Sequence, residues 1–188
     1  MPKVALLIFP TCSEFEISVA ISLLRHSYEL VTVALREEVV VSEAGLLIQP
    51  HLGITEANAE DYDALVIPGG DMFHLQDATP VFDFVKEMAE RRNLLAAICS
   101  GAYVLARAGV LEHHPYTVSF TPEQRDFLGC FDEARFRYEP VVESDHILTA
   151  QGHAYVEFGL RTAQILRPDL SAEVQRFYRG LGNEQMEA

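Results

Sequence analysis

Basic residues are scarce in this chain: 14 Lys and Arg stand against 28 Asp and Glu, a formal charge of −14. Phosphate backbones are held by clustered Lys and Arg, so this balance argues against nucleic acid as a partner and fits a solvated acidic surface. Cysteine is sparse too. Cys12, Cys99 and Cys130 are an odd number with no disulfide-framework or metal-ligand spacing, so free thiols in a reducing cytoplasm are expected, without a bound metal. No apolar run is long enough to cross a membrane, and no membrane partner is expected. The first run, Val4–Phe9, has no small-residue cleavage site, and Glu14 and Glu16 follow at once. It reads as a buried strand, not a signal peptide. Repeats, low-complexity stretches and linker-like segments are missing as well. A chain of 188 residues, 49% hydrophobic and 22% charged, therefore suits one domain over 1–188 with one sizeable core.

What is present alternates between strand-like and helix-like stretches, as a parallel sheet with crossover helices requires. Buried strands are expected at Val4–Phe9, Tyr28–Leu35, Ala64–Ile67 and Leu94–Ile98, and shorter ones at Phe136–Glu139, Val141–Glu143 and Ile147–Thr149. Val39–Val41 and Leu46–Ile48, on either side of Glu43-Ala44-Gly45, read as a hairpin. A helix from about Glu14 to Arg25 would be capped by Ser13, with Glu16 where a capping box places its acid. Others should start at Thr79-Pro80, with Thr79 as the cap, run from the Cys99 turn to near Gly109, open at Thr121-Pro122, and span Tyr155–Leu166 and Ser171–Leu181. The expected fold is α/β, a flavodoxin-like three-layer sandwich with a mostly parallel sheet.

The most informative segment is Ile98-Cys99-Ser100-Gly101, entered from the apolar run Leu94–Ile98 and left by a helical pattern. A buried strand that turns sharply into a helix lifts one side chain off the sheet edge and aims it at the free N–H groups of the first helical turn. Those groups and the helix dipole favour a thiolate, so Cys99 is expected to be a nucleophile at an elbow, with a lowered pKa. Ser100-Gly101-Ala102 supplies the small residues such a turn needs. Ligands of open α/β sheets sit beyond the carboxyl ends of the strands. There the segments carrying Cys12, Glu14 and Glu16, Gly69-Gly70, Cys99-Ser100 and Gln151-Gly152-His153 should meet. Taken singly, Glu16 reads as a capping residue, the glycines as strand terminators and His153 as a polar residue near a helix start. Together they make a candidate site.

These residues resemble the ThiJ/PfpI family of the class I glutamine amidotransferase-like superfamily. Asp63–Gly70, with its apolar run before Pro68-Gly69-Gly70, is similar to one family element. Ala97–Ala102 followed by Leu105–Leu111 resembles the family's elbow and next helix, and Leu148-Thr149-Ala150, Gly152 and then Glu157-Phe158 look like its last strand and closing helix. The similarity runs from Val4 to about Leu166. It implies that Cys99 is the reactive cysteine and that Glu16 is an acid hydrogen-bonded to it, protonated so as to donate to a thiolate. On that basis Glu16→Gln should raise the Cys99 pKa. The resemblance also implies a small-molecule substrate beside Gly69, Gly70, Ser100 and Gly152, with the Gly70 and Ser100 N–H groups as oxyanion donors, no cofactor, and a homodimer.

Two positions depart from the family's pattern. The histidine that directly follows the cysteine in protease-like and glyoxalase-like members is Ser100 here, and the later histidine of other members is Ser119. His153 is left as the candidate base, reaching Cys99 from the last loop. His113-His114 should face solvent rather than hold a metal. Two functions stay open. One is an enzyme whose Cys99 attacks a carbonyl or carbon–nitrogen electrophile, hydrolase, glyoxalase-like or amidotransferase-like. The other is a redox or ligand sensor in which Cys99 is oxidised to a sulfinic acid held by Glu16.

Overall fold

The computed structural model describes residues 1–182. The strands are β1 (Lys3–Leu7), β2 (Glu29–Ala34), β3 (Val40–Val41), β4 (Leu47–Ile48), β5 (Leu52–Gly53), β6 (Ala64–Ile67), β7 (Leu94–Ile98), β8 (Val141–Ser144) and β9 (Ile147–Ala150). Seven of them form one sheet in the order β5-β2-β1-β6-β7-β9-β8, with every pairing parallel except β8 on β9. β3 and β4 pair antiparallel as a separate hairpin, as the sequence suggests.

Helices cover both faces, which is why β6, β7 and β9 are buried at every position and β6 and β7 are continuously apolar. The alternation of side chains divides the core in two. Leu65, Ile67, Leu95 and Ala97 pack on the side of α2 (Thr79–Glu90) and α3 (Ala102–Arg107). Val66, Ala96, Ile98 and Leu148 pack on the side of α1 (Ser18–Leu24) and α5 (Tyr155–Leu166). The α1 and α5 backbones meet at Gly159, where a Cβ would lie 2.6 Å from the Val19 Cβ. That close approach draws α1, and the turn before it that carries Glu16, onto the end of the sheet. The remaining helices are α4 (Pro122–Leu128), which Thr121 and Gln124 open with a full capping box, and α6 (Ala172–Tyr178), capped by Ser171.

Several local expectations are corrected. The first helix is divided: a 3-10 turn over Glu14–Ile17 precedes α1, and Ser13 caps nothing, donating instead to the Glu43 carboxylate at 2.6 Å. The capping box fails because the Glu16 carboxylate is held by the Gly69 N–H. Thr79 lies inside α2, with Ala78 at the cap. Phe136–Glu139 is no strand. Phe136 makes one isolated bridge to Tyr116, its ring lies 3.8 Å from the Arg125 guanidinium, and its carbonyl and that of Ala134 accept from the Arg137 side chain. β5, two residues long, was too short to leave a period in the sequence.

Candidate functional site

All strands that feed the site run parallel, so the ends of β1, β6, β7 and β9 open on one edge of the sheet. At that edge the chain leaves β7 through an extended Ile98 (φ −124°, ψ 151°) and reverses at Cys99, whose φ is +60°. A side chain in the left-handed region costs roughly 1–2 kcal/mol, and such strain persists only where the surroundings impose it. Here glycines from three loops close around the elbow. A Cβ on Gly101 would lie 2.6 Å from the Pro68 carbonyl oxygen, one on Gly69 2.7 Å from the Cys99 Cβ, and one on Gly152 3.0 Å from the Cys99 Sγ. The Ser119 N–H donates to the Cys99 carbonyl at 3.3 Å.

Glu16 is 3% exposed and lies against Cys99. Its Oε2 accepts the Gly69 N–H at 2.7 Å. Its Oε1 shares the surface of Gly152 with the Cys99 Sγ, since a Cβ there would be 2.9 Å from the oxygen. Burial raises the Glu16 pKa, opposed by the Gly69 N–H. Burial and the adjoining Glu16 carboxylate push the Cys99 thiol up to about 11, opposed by the Ser100 N–H and the Ser119 hydroxyl. This corrects the expected depression. The elbow begins with a 3-10 turn over Cys99–Gly101 and the α-helix behind it has six residues, so the few N–H groups offered are outweighed by desolvation and a carboxylate. Burial therefore raises both members of the pair and disfavours the state in which both are ionised. Burial raises the thiols of Cys12 and Cys130 as well.

The expected oxyanion donors are present but engaged. Gly70, at φ +145° and with no room for a Cβ, which would lie 2.6 Å from the Thr11 carbonyl oxygen, donates its N–H to the Ser100 Oγ at 2.9 Å, and that hydroxyl donates to the Gly70 carbonyl at 2.8 Å. The Ser100 N–H faces the Cys99 sulfur. Ser119 stands beside Cys99 and Gly152 with no histidine in its place. Its Oγ accepts the Gly152 N–H at 2.9 Å and donates to the Gln151 Oε1 at 3.0 Å. The Gln151 amide is oriented by donation to the Thr117 Oγ1 at 2.6 Å and the Val118 carbonyl at 3.0 Å.

The structure thus brings Cys99, Glu16, Gly69, Gly70, Ser100 and Gly152 together. His153 sits in the adjoining 3-10 turn, Gly152–Ala154, but is exposed and takes no part in these hydrogen bonds. Gln151 and Thr117, which orient Ser119, were given no separate role from the sequence; being buried polar residues with no periodic pattern, they gave no signal there. His113 is exposed as expected. His114 is not: it is half-buried, with its Nδ1 3.0 Å from the Ser144 Oγ and its ring against His146, because the segment after α3 folds back onto the β8–β9 turn. Among the described residues, no group of three or more His, Cys, Asp or Glu is placed to hold a metal, and no helix is long and apolar enough to cross a membrane.

Comparison with known proteins agrees with this fold. A family model described as the DJ-1/PfpI family matches residues 2–164. The Bacillus subtilis protein named uncharacterized protease YoaZ is 26% identical over 184 residues, spanning 89% of this chain and 86% of that protein. The Caenorhabditis elegans glutathione-independent glyoxalase DJR-1.2 is 25% identical, spanning 87% of this chain and 89% of that one. Among solved structures, the DJ-1 superfamily protein Atu0886 from Agrobacterium tumefaciens superposes with a TM-score of 0.84 at 27% identity, over 96% of this chain and 99% of that chain.

Proposed function

The chain belongs to the DJ-1/PfpI family, and on that premise we propose that it is a cysteine-dependent enzyme acting on a small carbonyl or carbon–nitrogen electrophile, with Cys99 as nucleophile and Glu16 as its base. The observation that carries the proposal is the buried carboxylate set against the Cys99 sulfur, with one oxygen pinned by the Gly69 N–H and the other left toward the thiol. A thiol at about 11 is inert alone. As Sγ bonds to the electrophilic carbon, its proton passes to the Glu16 Oε1 and the carbonyl or imine electron pair moves onto oxygen or nitrogen. Glu16, its pKa raised by burial, is a stronger base than a solvated carboxylate and then holds the proton for return to the departing group. The developing anion is stabilised by the Gly70 N–H once the Ser100 hydroxyl turns aside. The protease and glyoxalase named among the relatives support this substrate class. Wild type and Cys99→Ser should be assayed on a panel of dicarbonyls, amides and isonitriles. Turnover confined to the wild type is expected, and turnover surviving in Cys99→Ser would refute the assignment.

A second reading, a redox or ligand sensor acting through oxidation of Cys99, is favoured by one observation: the Gly70 N–H is already satisfied by Ser100. It would show as peroxide oxidation confined to Cys99 in a protein without turnover on that panel. We also propose a homodimer, in line with the family, for which a dimer mass by light scattering at micromolar concentration is the expected result.

A further inference from the structure

A groove of about 480 Å³ runs away from the elbow between two short elements, the 3-10 turn Met72–Leu75 and α4. Its inner end is built from residues one step removed from the reactive group. Gly70 is tied to Ser100, Phe120 follows Ser119, and Tyr103, 2% exposed, lies one turn of α3 beyond Cys99. Its walls are Met72 and Phe73 on one side and Phe127 and Leu128 on the other. Phe73 and Phe127 are 68% and 88% exposed, so two aromatic rings stand in water on the walls of a groove that reaches Gly70, the residue hydrogen-bonded to Ser100 of the elbow. The charged residues lining it are Asp71 and Glu123, both acidic. The two neighbouring arginines are spent and do not line the groove: Arg107 donates to the Tyr103 hydroxyl at 2.9 Å and stacks on Phe82, and Arg125 donates to the Glu133 carboxylate and the Phe120 carbonyl.

We propose that this groove is a specificity site that receives an aromatic or branched apolar substituent, neutral or cationic, of the electrophile that reacts at Cys99. The inference rests on Cys99 being the reactive residue. The volume falls within the range of about 300–1,000 Å³ usual for small-molecule sites, the walls supply apolar area, and the two carboxylates disfavour acidic substrates by like-charge repulsion. The chemistry selected is that of an aryl or branched alkyl aldehyde, amide or isonitrile, in preference to an anionic dicarbonyl.

The test uses alkylation, in which the Cys99 sulfur bonds to the methylene carbon, iodide leaves with the carbon–iodine electron pair, and the thiol proton passes to Glu16 or water. Rate constants at Cys99 are measured by mass spectrometry for iodoacetamide, N-phenethyl iodoacetamide and iodoacetate, each relative to its rate with glutathione. The phenethyl reagent should be favoured over iodoacetamide by about tenfold, the effect expected for partial burial of a phenyl ring, and iodoacetate should be the slowest. Phe73→Ser/Phe127→Ser should return the phenethyl-to-iodoacetamide ratio toward that of glutathione. No phenethyl preference, or one that survives in the double variant, overturns the proposal. So does a double variant whose main change is a smaller mass by light scattering, which would assign the rings to a second copy of the chain. Should Cys99 prove inert to iodoacetamide, the nucleophile reading fails by itself. The groove is then judged by binding of unreactive N-phenethylacetamide, followed by proton NMR line broadening: binding lost in the double variant upholds it, and no binding to the wild type overturns it.

Discussion

The two edges of the sheet hold the same kind of backbone strain and put it to different use. Each edge carries two residues other than glycine at positive φ: Thr11 and Cys99 where the parallel strands end, Arg92 and Asp145 where β7 and β9 begin. At the latter edge the strain belongs to ordinary turns. Arg92 and Asp145 are exposed and ion-paired to each other, and Asp145 also holds His146, 3.1 Å from its carboxylate. At the other edge Cys99 is packed between Gly69 and Gly152 and faces a buried acid. Strain alone therefore does not mark the reactive group; strain in a place sealed against relaxation does. The histidines follow the same division. His114 and His146 are part-buried together at the turn edge, far along β9 from its Gln151 end, where burial and mutual proximity keep the His114 pKa low. The Cys99 thiol is left with a buried carboxylate, not a histidine, as its neighbour.

The contrast breaks most sharply at Glu16. Because a proton moving between Glu16 and Cys99 leaves the total charge of the pair unchanged, the fraction of thiolate paired with a protonated acid is independent of pH while the pair holds one proton. Alkylation of wild-type Cys99 should therefore settle on a pH-independent floor above the Glu16 titration and climb from that floor only as the second proton leaves, toward a midpoint of about 11. Glu16→Gln removes the plateau, and the rate should rise about tenfold per pH unit to a single midpoint. That midpoint should lie below the wild-type value, because the substitution removes the carboxylate that holds the thiol up. The direction is opposite to the one inferred from the sequence alone, which took Glu16 as a protonated donor. Turnover at neutral pH should fall by about 10²–10⁴, the usual worth of a general base. A Glu16→Gln profile matching the wild type in turnover and pH dependence would remove Glu16 from the mechanism.

Gly152→Ala should have the next largest effect. Its Cβ would stand 2.9 Å from the Glu16 Oε1 and 3.0 Å from the Cys99 Sγ, so acid and thiol must separate. A displacement of about 1 Å costs on the order of 10²-fold in rate. Circular dichroism should stay native while the alkylation plateau falls, and unchanged kinetics would show that the two groups need not touch.

Arg125→Met addresses stability instead of chemistry. The side chain is 5% exposed, donates to the Phe120 carbonyl at 2.7 Å and lies over the Phe136 ring. Losing that charged hydrogen bond should cost about 1–3 kcal/mol in urea unfolding. Because Phe120 lines the groove of the specificity site, the phenethyl preference should weaken in parallel. An unchanged midpoint would count against a structural role for the guanidinium.

The smallest effect is expected at the turn edge. Arg92→Gly suits the backbone at φ +60° and removes only an exposed ion pair, and such pairs contribute little. Its unfolding midpoint and Cys99 reactivity should stay near wild type. A variant that altered Cys99 reactivity would show that the two edges are coupled through β7.

The longer strands, the elbow and the family were legible because each rests on local pattern. Ala64–Ile67 and Leu94–Ile98 are continuous apolar runs that punctuation by Pro68-Gly69-Gly70 and Ser100-Gly101 ends at the observed residues. Less was legible where a side chain had two partners to choose between. Ser13 and Glu16 have the spacing of a capping box, but spacing carries no information about Gly69, 53 residues away, which takes the carboxylate.

The sequence by itself thus determined the three-layer architecture, the parallel sheet and the position of Cys99 at its edge, since periodicity, turn residues and small-residue spacing are properties of neighbours along the chain. The tertiary structure alone decided the raised pKa values of the pair, the engagement of the Gly70 N–H by Ser100, the orientation of Ser119 by Gln151 and the edge on which the paired histidines lie. Burial and Coulomb interaction depend on distances between segments that the chain brings together only when it is folded.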